Sequence, residues 1–127
     1  MTTYAKLSVR SVLSDNSDYS APTYDSEVLE FTSSSDRAEE IHMLIPLAGV
    51  TLYANADLTS IEHLVVYNED ATNFLTLIYE DAAATTQTLI VEAGGFVALS
   101  NVSATANITV AADTAACLAR FFLVGTA

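Results

Sequence analysis

The sequence predicts an all-β chain, an antiparallel β-sandwich or jelly-roll-like fold of about eight to ten strands. Short runs in which apolar and polar residues alternate recur from Tyr4 to Val124, the period of a strand with one face buried. From Ser60 onward these runs are separated by brief polar turns, with no segment of helical length and period between them. Successive strands therefore lack crossover helices and connect antiparallel. A chain of 127 residues is long enough for one core and short for two. One domain is expected, with an N-terminal strand and polar arm over 1–26 and a sandwich body over 27–127.

Residues 4–13, YAKLSVRSVL, set Ala5, Leu7 and Val9 on one face and Tyr4, Lys6, Ser8 and Arg10 on the other. Residues 14–26, SDNSDYSAPTYDS, are rich in Ser, Asp and Asn and contain Pro22. They read either as a long loop or as an arm reaching another subunit, since structureless connections of this length are uncommon inside compact domains. Residues 27–32 alternate again, and Ser33, Ser34, Ser35 and Asp36 break the run.

Residues 37–47 fit two patterns. Asp36 with Glu39 resembles a helix cap, and Ile41, Leu44 and Ile45 a helical stripe, whereas Ile41, Met43 and Ile45 alternate toward Pro46 as in a strand. The strand is preferred because its neighbours are β. A short strand follows over 49–55, then six more strand-like runs over 60–68, 73–80, 86–92, 96–101, 106–112 and 115–124.

Two of these regions are apolar on both faces. In residues 89–99, LIVEAGGFVAL, the pair Gly94-Gly95 supplies the positive φ of a two-residue hairpin turn, which would set Ala93 opposite Phe96 and Ile90 opposite Leu99. Leu89, Val91, Ala93, Phe96 and Ala98 then share one face. Ile90, Glu92, Val97 and Leu99 share the other, with Glu92 placed to reach water or a basic partner. In the last strand Cys117, Ala119, Phe121 and Leu123 form a plain core face, while Leu118, Arg120, Phe122 and Val124 form a second face too apolar for open solvent. Ile90, Val97, Leu99, Leu118, Arg120, Phe122 and Val124 are therefore expected at a contact between subunits, with Arg120 meeting a carboxylate there. Lys6 and Arg10, in a first strand without acids, and Tyr19 and Tyr24 in the arm are the other candidate contacts.

Sixteen acidic against four basic residues, a formal net charge of −12, argue against nucleic-acid binding, which draws on clustered Lys and Arg. The positive mean hydropathy excludes a disordered chain, and the longest apolar runs are far shorter than a membrane span. The N-terminus alternates where a signal peptide would carry an apolar block, so cytosolic synthesis is expected. Cys117, alone among Ala115, Ala116, Leu118 and Ala119, reads as a small core residue.

Neither His42 nor His63 lies in a recognisable nucleophile motif, and no metal site is expected from their spacing. Glu69-Asp70 and Glu80-Asp81 flank one strand at opposite ends and read as solvated turns. Asp15, Asn16 and Asp18 lack the glycine and terminal glutamate of a calcium loop. No enzyme activity and no cofactor is expected.

The succession from Glu62 to Gly125 resembles small β-sandwich virion proteins of tailed bacteriophages. It contains the turn Asn68-Glu69-Asp70, the strand opening Thr72-Asn73-Phe74, a glycine turn before an apolar strand, the stretch from Asn107 to Thr114 and an aromatic closing strand. Ala93-Gly94-Gly95 stands where those proteins carry a Pro-Gly-Glu turn. The resemblance covers the C-terminal half and implies no catalytic residues. It implies a virion structural protein, most simply a capsid decoration or cement protein that binds the major capsid protein or other virion subunits as a homo-oligomer. The alternatives are a head-tail, tail or fibre accessory component, or a module that binds a host-surface glycan.

Overall fold

The structure, a computed structural model, describes residues 3–20, 22–26, 28–35, 37–55 and 57–127. The described residues form twelve strands and no helix. They divide into two compact units, one over residues 4–34 and a body over residues 35–127 together with Thr3.

The smaller unit contains β1 (Thr3–Val9), β2 (Val12–Ser14), β3 (Pro22–Asp25) and β4 (Leu29–Ser35), with β1 beside β4 and β2 antiparallel to β3. Between them the ladder is carried on by the Ser26 amide, which donates to the Ser11 carbonyl at 2.9 Å, and by the Ser11 amide, which donates to Ser26 Oγ at 2.8 Å. The polar stretch 14–26 is thus the closed end of a two-stranded ribbon and not a structureless loop. Its tip is tied by Asn16 and Asp18, whose side chains both accept from the Ser20 amide. Of the strand expected over residues 27–32, Leu29–Thr32 form the first part of β4, while Glu27 lies outside the described residues.

The body holds β5 (Arg37–Ile45), β6 (Val50–Tyr53), β7 (Ser60–Asn68), β8 (Leu75–Glu80), β9 (Thr86–Val91), β10 (Phe96–Leu99), β11 (Ile108–Ala112) and β12 (Cys117–Thr126). Residues 37–45 are a strand, because Ile41, Met43 and Ile45 alternate onto the core; Asp36, which begins the competing helix pattern, lies outside the described residues. The strands pair in a nested series, β5 with β12, β6 with β11, β7 with β10 and β8 with β9, all antiparallel. Two further antiparallel pairings, β7 with β12 and β8 with β11, roll this long ribbon into two four-stranded sheets, β10-β7-β12-β5 and β6-β11-β8-β9. That is the connectivity of an eight-stranded jelly roll, and it confirms the expected all-β sandwich.

The core lies between the sheets. Ile45, Leu64, Val66, Leu75, Leu77, Ile108, Val110 and Phe121 are its most deeply buried large side chains. Cys117 lies among them, and burial raises its thiol pKa above the ordinary value, with the Asp70 carboxylate adding to the effect. Tyr53 reaches the core edge, where its hydroxyl donates to the Ala104 carbonyl at 2.9 Å and accepts from the Leu58 amide at 3.0 Å. One phenol therefore pins two chain crossings between the sheets.

The Gly94-Gly95 segment differs from the expectation. β9 pairs with β8 and β10 with β7, so the glycines turn a corner from one sheet to the other and no β9–β10 hairpin exists. The reason is local as well as global. Gly94 has φ +71° and Gly95 donates to the Glu92 carbonyl at 2.9 Å, a turn with a single left-handed residue at its third position. A tight hairpin whose twist matches its strands would place left-handed residues at both centres. The Gly95 carbonyl instead accepts from the Asn68 amide at 2.9 Å, which starts the β7–β10 ladder.

Candidate interaction face

Side chains alternate along each strand, so pairing the registers shows what the sheet β10-β7-β12-β5 presents on the side away from the core. Phe96 lies opposite Tyr67, Tyr67 opposite Arg120, and Arg120 opposite His42, a row that crosses all four strands. On one side of it Leu118 lies opposite Leu44, and the Glu69 amide donates to the Leu118 carbonyl at 2.9 Å. On the other side come Ala98, Val65, Phe122 and Glu40, and beyond them His63, Val124 and Ala38.

Burial runs as a gradient across these rows. His63, Val65 and Val124 are fully buried and Phe122 is half-buried, its ring 5.7 Å from the imidazole of His63. At the other end Leu44 is 60 % exposed and Leu118 40 %, and in the aromatic row Phe96 is 59 % and Tyr67 44 % exposed. The two rings lie 5.6 Å apart and tilted by 34°, and leave their outer surfaces open. Large apolar side chains clustered this way, beside an arginine, have the composition of the energetic centre of a protein interface.

Glu69 organises the polar part. Its carboxylate lies 3.1 Å from Arg120 Nη2 and 2.8 Å from His42 Nε2, so the two basic groups opposite each other in the ladder share one acid. Glu40 stands 3.9 Å from Arg120 Nε as a second, looser partner. These pairs are exposed and each is worth at most about 1 kcal/mol, so they orient Arg120 more than they stabilise the fold. Among the described residues no three His, Cys, Asp or Glu side chains converge as metal ligands would.

His63 is the titratable group under this face. Burial disfavours its charged form and pulls its pKa below the usual 6.5, with Glu62 opposing. A folded pKa below the unfolded one means the contribution is fully present above pH 6.5 and is lost as pH falls from 6.5 toward the folded value. Urea unfolding at a series of pH values should therefore show stability falling just below pH 6.5, and His63→Gln should remove that part of the slope. An unchanged slope in the variant would refute the assignment. A second fall is expected below pH 3.8, where Asp70 and Asp81 have depressed values because backbone amides donate to them, those of Asn73 and Thr72 to Asp70 and that of Thr85 to Asp81. These two carboxylates are turn anchors at the opposite ends of β8.

The residues expected at subunit contacts are distributed differently from the expectation. Leu118, Arg120 and Phe122 do share one face, but Val124 beside them is fully buried within the single chain. Val97 and Leu99 pack against the core: with β10 paired to β7, their side of the strand is the inner one. Ile90 is exposed on the other sheet, where Thr76 lies opposite it and Ile78, Thr88, Thr109 and Thr51 form the adjoining row. A shallow open groove runs over Gly49, Thr51, Thr76, Ile78 and Thr109 on that side.

Lys6 and Arg10 offer no free basic strip. Lys6 pairs with Glu30 at 3.7 Å, and Arg10 holds Asp25 with two contacts of 3.0 and 2.6 Å. Tyr19, at φ +58°, and Tyr24 are both exposed. Tyr67, Phe96, Leu44 and His42 were not expected here, because only the register brings residues from four separate strands into adjacent rows. The alternation of His63, Val65 and Tyr67 against the core residues of β7 is the one signal in the sequence that could have placed Tyr67.

No protein-family model, curated protein or solved structure matches this chain.

Proposed function

We propose that this chain is a non-catalytic accessory virion protein, a capsid decoration or cement protein that binds the head lattice as an oligomer. The observation that carries the reading is the outward face of β10-β7-β12-β5, where Leu44, Leu118, Tyr67 and Phe96 stand exposed around Arg120. A surface of that composition is stable in solution when a second subunit covers it. The jelly-roll connectivity, frequent in viral capsid domains, and the resemblance of residues 62–125 to phage virion proteins support the same reading.

The test is the composition of purified particles. This chain should be present in fixed ratio to the major capsid protein, and particles made with Tyr67→Ser/Phe96→Ser should carry less than a tenth of it. Absence of the parent chain from particles would refute the proposal.

Recognition of a host-surface glycan is a second reading, favoured by the exposed Phe96–Tyr67 ring pair beside the hydrogen-bonding groups of Arg120, His42 and Glu69. Sugar rings stack on such aromatic surfaces while their hydroxyls bond to charged neighbours. Binding of the isolated chain to a glycan array, abolished by Tyr67→Ser, would favour this reading over the first.

A further inference from the structure

The two sheets of the body end in four edge strands, β10 and β5 in one and β6 and β9 in the other. An edge strand offers a row of free amides and carbonyls to any further strand, and proteins blunt such rows with charge, shortness or irregularity. Three of the four are blunted in this way. β5 carries Arg37, Glu39 and Glu40, β10 is four residues long, and β6 is four residues long with a register shift against β11. β9 has none of these devices. Its six residues, TQTLIV, hold an unbroken register with β8 and include no charge, proline or glycine.

The direction of the backbone groups of β9 follows from its neighbour. Beyond one end of β8 the Asp81 amide donates to the Thr85 carbonyl at 2.9 Å, and beyond the other the Asp113 amide donates to the Phe74 carbonyl at 3.1 Å. Bonded and non-bonded pairs alternate along an antiparallel ladder, so the odd-numbered residues of β8 bond to β9 and the even-numbered ones to β11. Gln87, Leu89 and Val91 therefore spend their backbone groups on β8. The amides and carbonyls of Thr86, Thr88 and Ile90 point to the open edge, and all three residues are exposed in the full chain.

A row of alternating donors and acceptors at this spacing is matched by another extended strand. β9 matches itself. Turned about a two-fold axis through Thr88, two copies of the strand run antiparallel with Thr88 opposite Thr88 and Thr86 opposite Ile90, and every outward amide and carbonyl of the three residues gains a partner. On the inner side Gln87 falls opposite Leu89, so no two like charges meet. The nearest acid along the strand, Glu92, falls opposite Ala84. Copies with a net charge of −12 repel one another, which favours contact along an uncharged edge such as this one.

We propose that two copies of this chain pair antiparallel along β9, joining their four-stranded sheets into one continuous sheet with Thr88 on the two-fold axis. A contact of one strand's length, about 20 Å, belongs to the small and readily reversible class of interfaces. It is separate from the face around Leu44 and Phe96 and stands without the virion reading.

Oxidative crosslinking of chains with one added cysteine reads the register. Thr88→Cys should link to itself, because residues opposite each other in a bonded antiparallel pair have Cα atoms about 5.5 Å apart, within the reach of a disulfide. Thr86→Cys and Ile90→Cys each lie about 14 Å along the strand from their own counterparts. They should link to each other when mixed and at least tenfold less to themselves. Cys117 is buried, and the parent chain serves as the control. Thr88→Pro, placed in both members of the mixed pair, removes an outward amide and leaves the β8 ladder whole, and should slow their linking at least tenfold. Circular dichroism checks that these chains are folded.

Failure of Thr88→Cys to link, equal self-linking at all three positions, or linking unaffected by the proline in folded chains would each overturn the proposal. Residue-resolved hydrogen exchange of the unaltered chain gives a measurement that needs no variant. The amides of Thr86, Thr88 and Ile90 should exchange more slowly as concentration rises from micromolar to millimolar, while Gln87 and Leu89 stay protected throughout. Exchange at Thr88 independent of concentration would overturn the pairing, and slowing of it by an added protein alone would assign the edge to a strand of that protein. An edge-paired dimer missing from particles would refute the virion reading and leave this one standing, and particles carrying a chain that does not link at Thr88 would do the reverse.

Discussion

Gly125→Ala should destabilise the chain by about 3 kcal/mol or more, the cost of overpacking where the backbone cannot give way. Gly125 lies near the end of β12, the strand held between β5 and β7, at the register shift where it pairs with Ile61. A methyl group there would lie inside van der Waals distance of the Ser60 carbonyl oxygen and 2.7 Å from Leu58 Cδ1. The leucine tip can move. The Ser60 carbonyl belongs to a strand paired with Thr126, and moving it breaks the ladder that holds β7 to β12.

Thermal unfolding followed by circular dichroism should show a midpoint lower by about 10 °C or more. Gly94→Ala is the informative contrast. Its backbone is left-handed at φ +71°, but nothing lies within 4 Å of the added carbon, so the cost is the conformational term alone, about 1 kcal/mol. Equal losses in the two variants would show that the Gly125 contact is not what constrains that position.

Asn68→Ala should cost about 3 kcal/mol for a different reason. Asn68 is buried at the end of β7, and its amide nitrogen donates to the carbonyls of Asn73 at 2.8 Å and Val91 at 3.1 Å, while its oxygen accepts from the Asp70 amide at 3.0 Å. One side chain therefore joins the end of β7, the β7–β8 loop and the end of β9, which lies in the opposite sheet. Truncation leaves two carbonyls and an amide without the partner they have inside the protein.

Asn68→Asp tests the mechanism further. A carboxylate has no hydrogen to give those two carbonyls and sets a negative charge against them, so at neutral pH it should be worse than alanine. If alanine and aspartate variants unfold within 0.5 kcal/mol of the parent, on the order of the scatter for unremarkable surface changes, the three bonds do not hold the corner.

Asn68 ends a run, and Gly125 follows one, whose strand character the sequence shows plainly. What it does not show is why these residues are irreplaceable. Asn68 reads from the sequence as part of a polar turn, Asn68-Glu69-Asp70, and the turn is there, anchored by Asp70. The amide of Asn68 matters because β9, more than twenty residues away in sequence, ends beside it. At Gly125 only the crossing of residues 58–60 against β12 makes a hydrogen the largest atom that fits.

The candidate interaction face was legible to a similar depth. The two-sided apolar pattern of the last strand correctly marked Leu118, Arg120 and Phe122 as lying on a second face. It could not distinguish them from Val124, which the single chain already buries, because alternation states on which side a residue points and not what covers that side. A β9–β10 hairpin would turn Val97 and Leu99 outward; they lie inward because β10 pairs with β7.

The sequence by itself determined that this protein is all-β, roughly where the strands of the body run, and that Cys117 and the face of Phe121 and Leu123 belong to the core. Those properties follow from the period of side chains along one strand and from local turn chemistry, which involve residues a few positions apart. The tertiary structure alone decided the partners. Whether Gly94-Gly95 closes a hairpin or turns a corner depends on β8 taking the edge of β9 and β7 taking the edge of β10, a competition among strands distant in sequence. The same competition drew β4 into the N-terminal ribbon and set Phe96, Tyr67, Arg120 and His42 in one row.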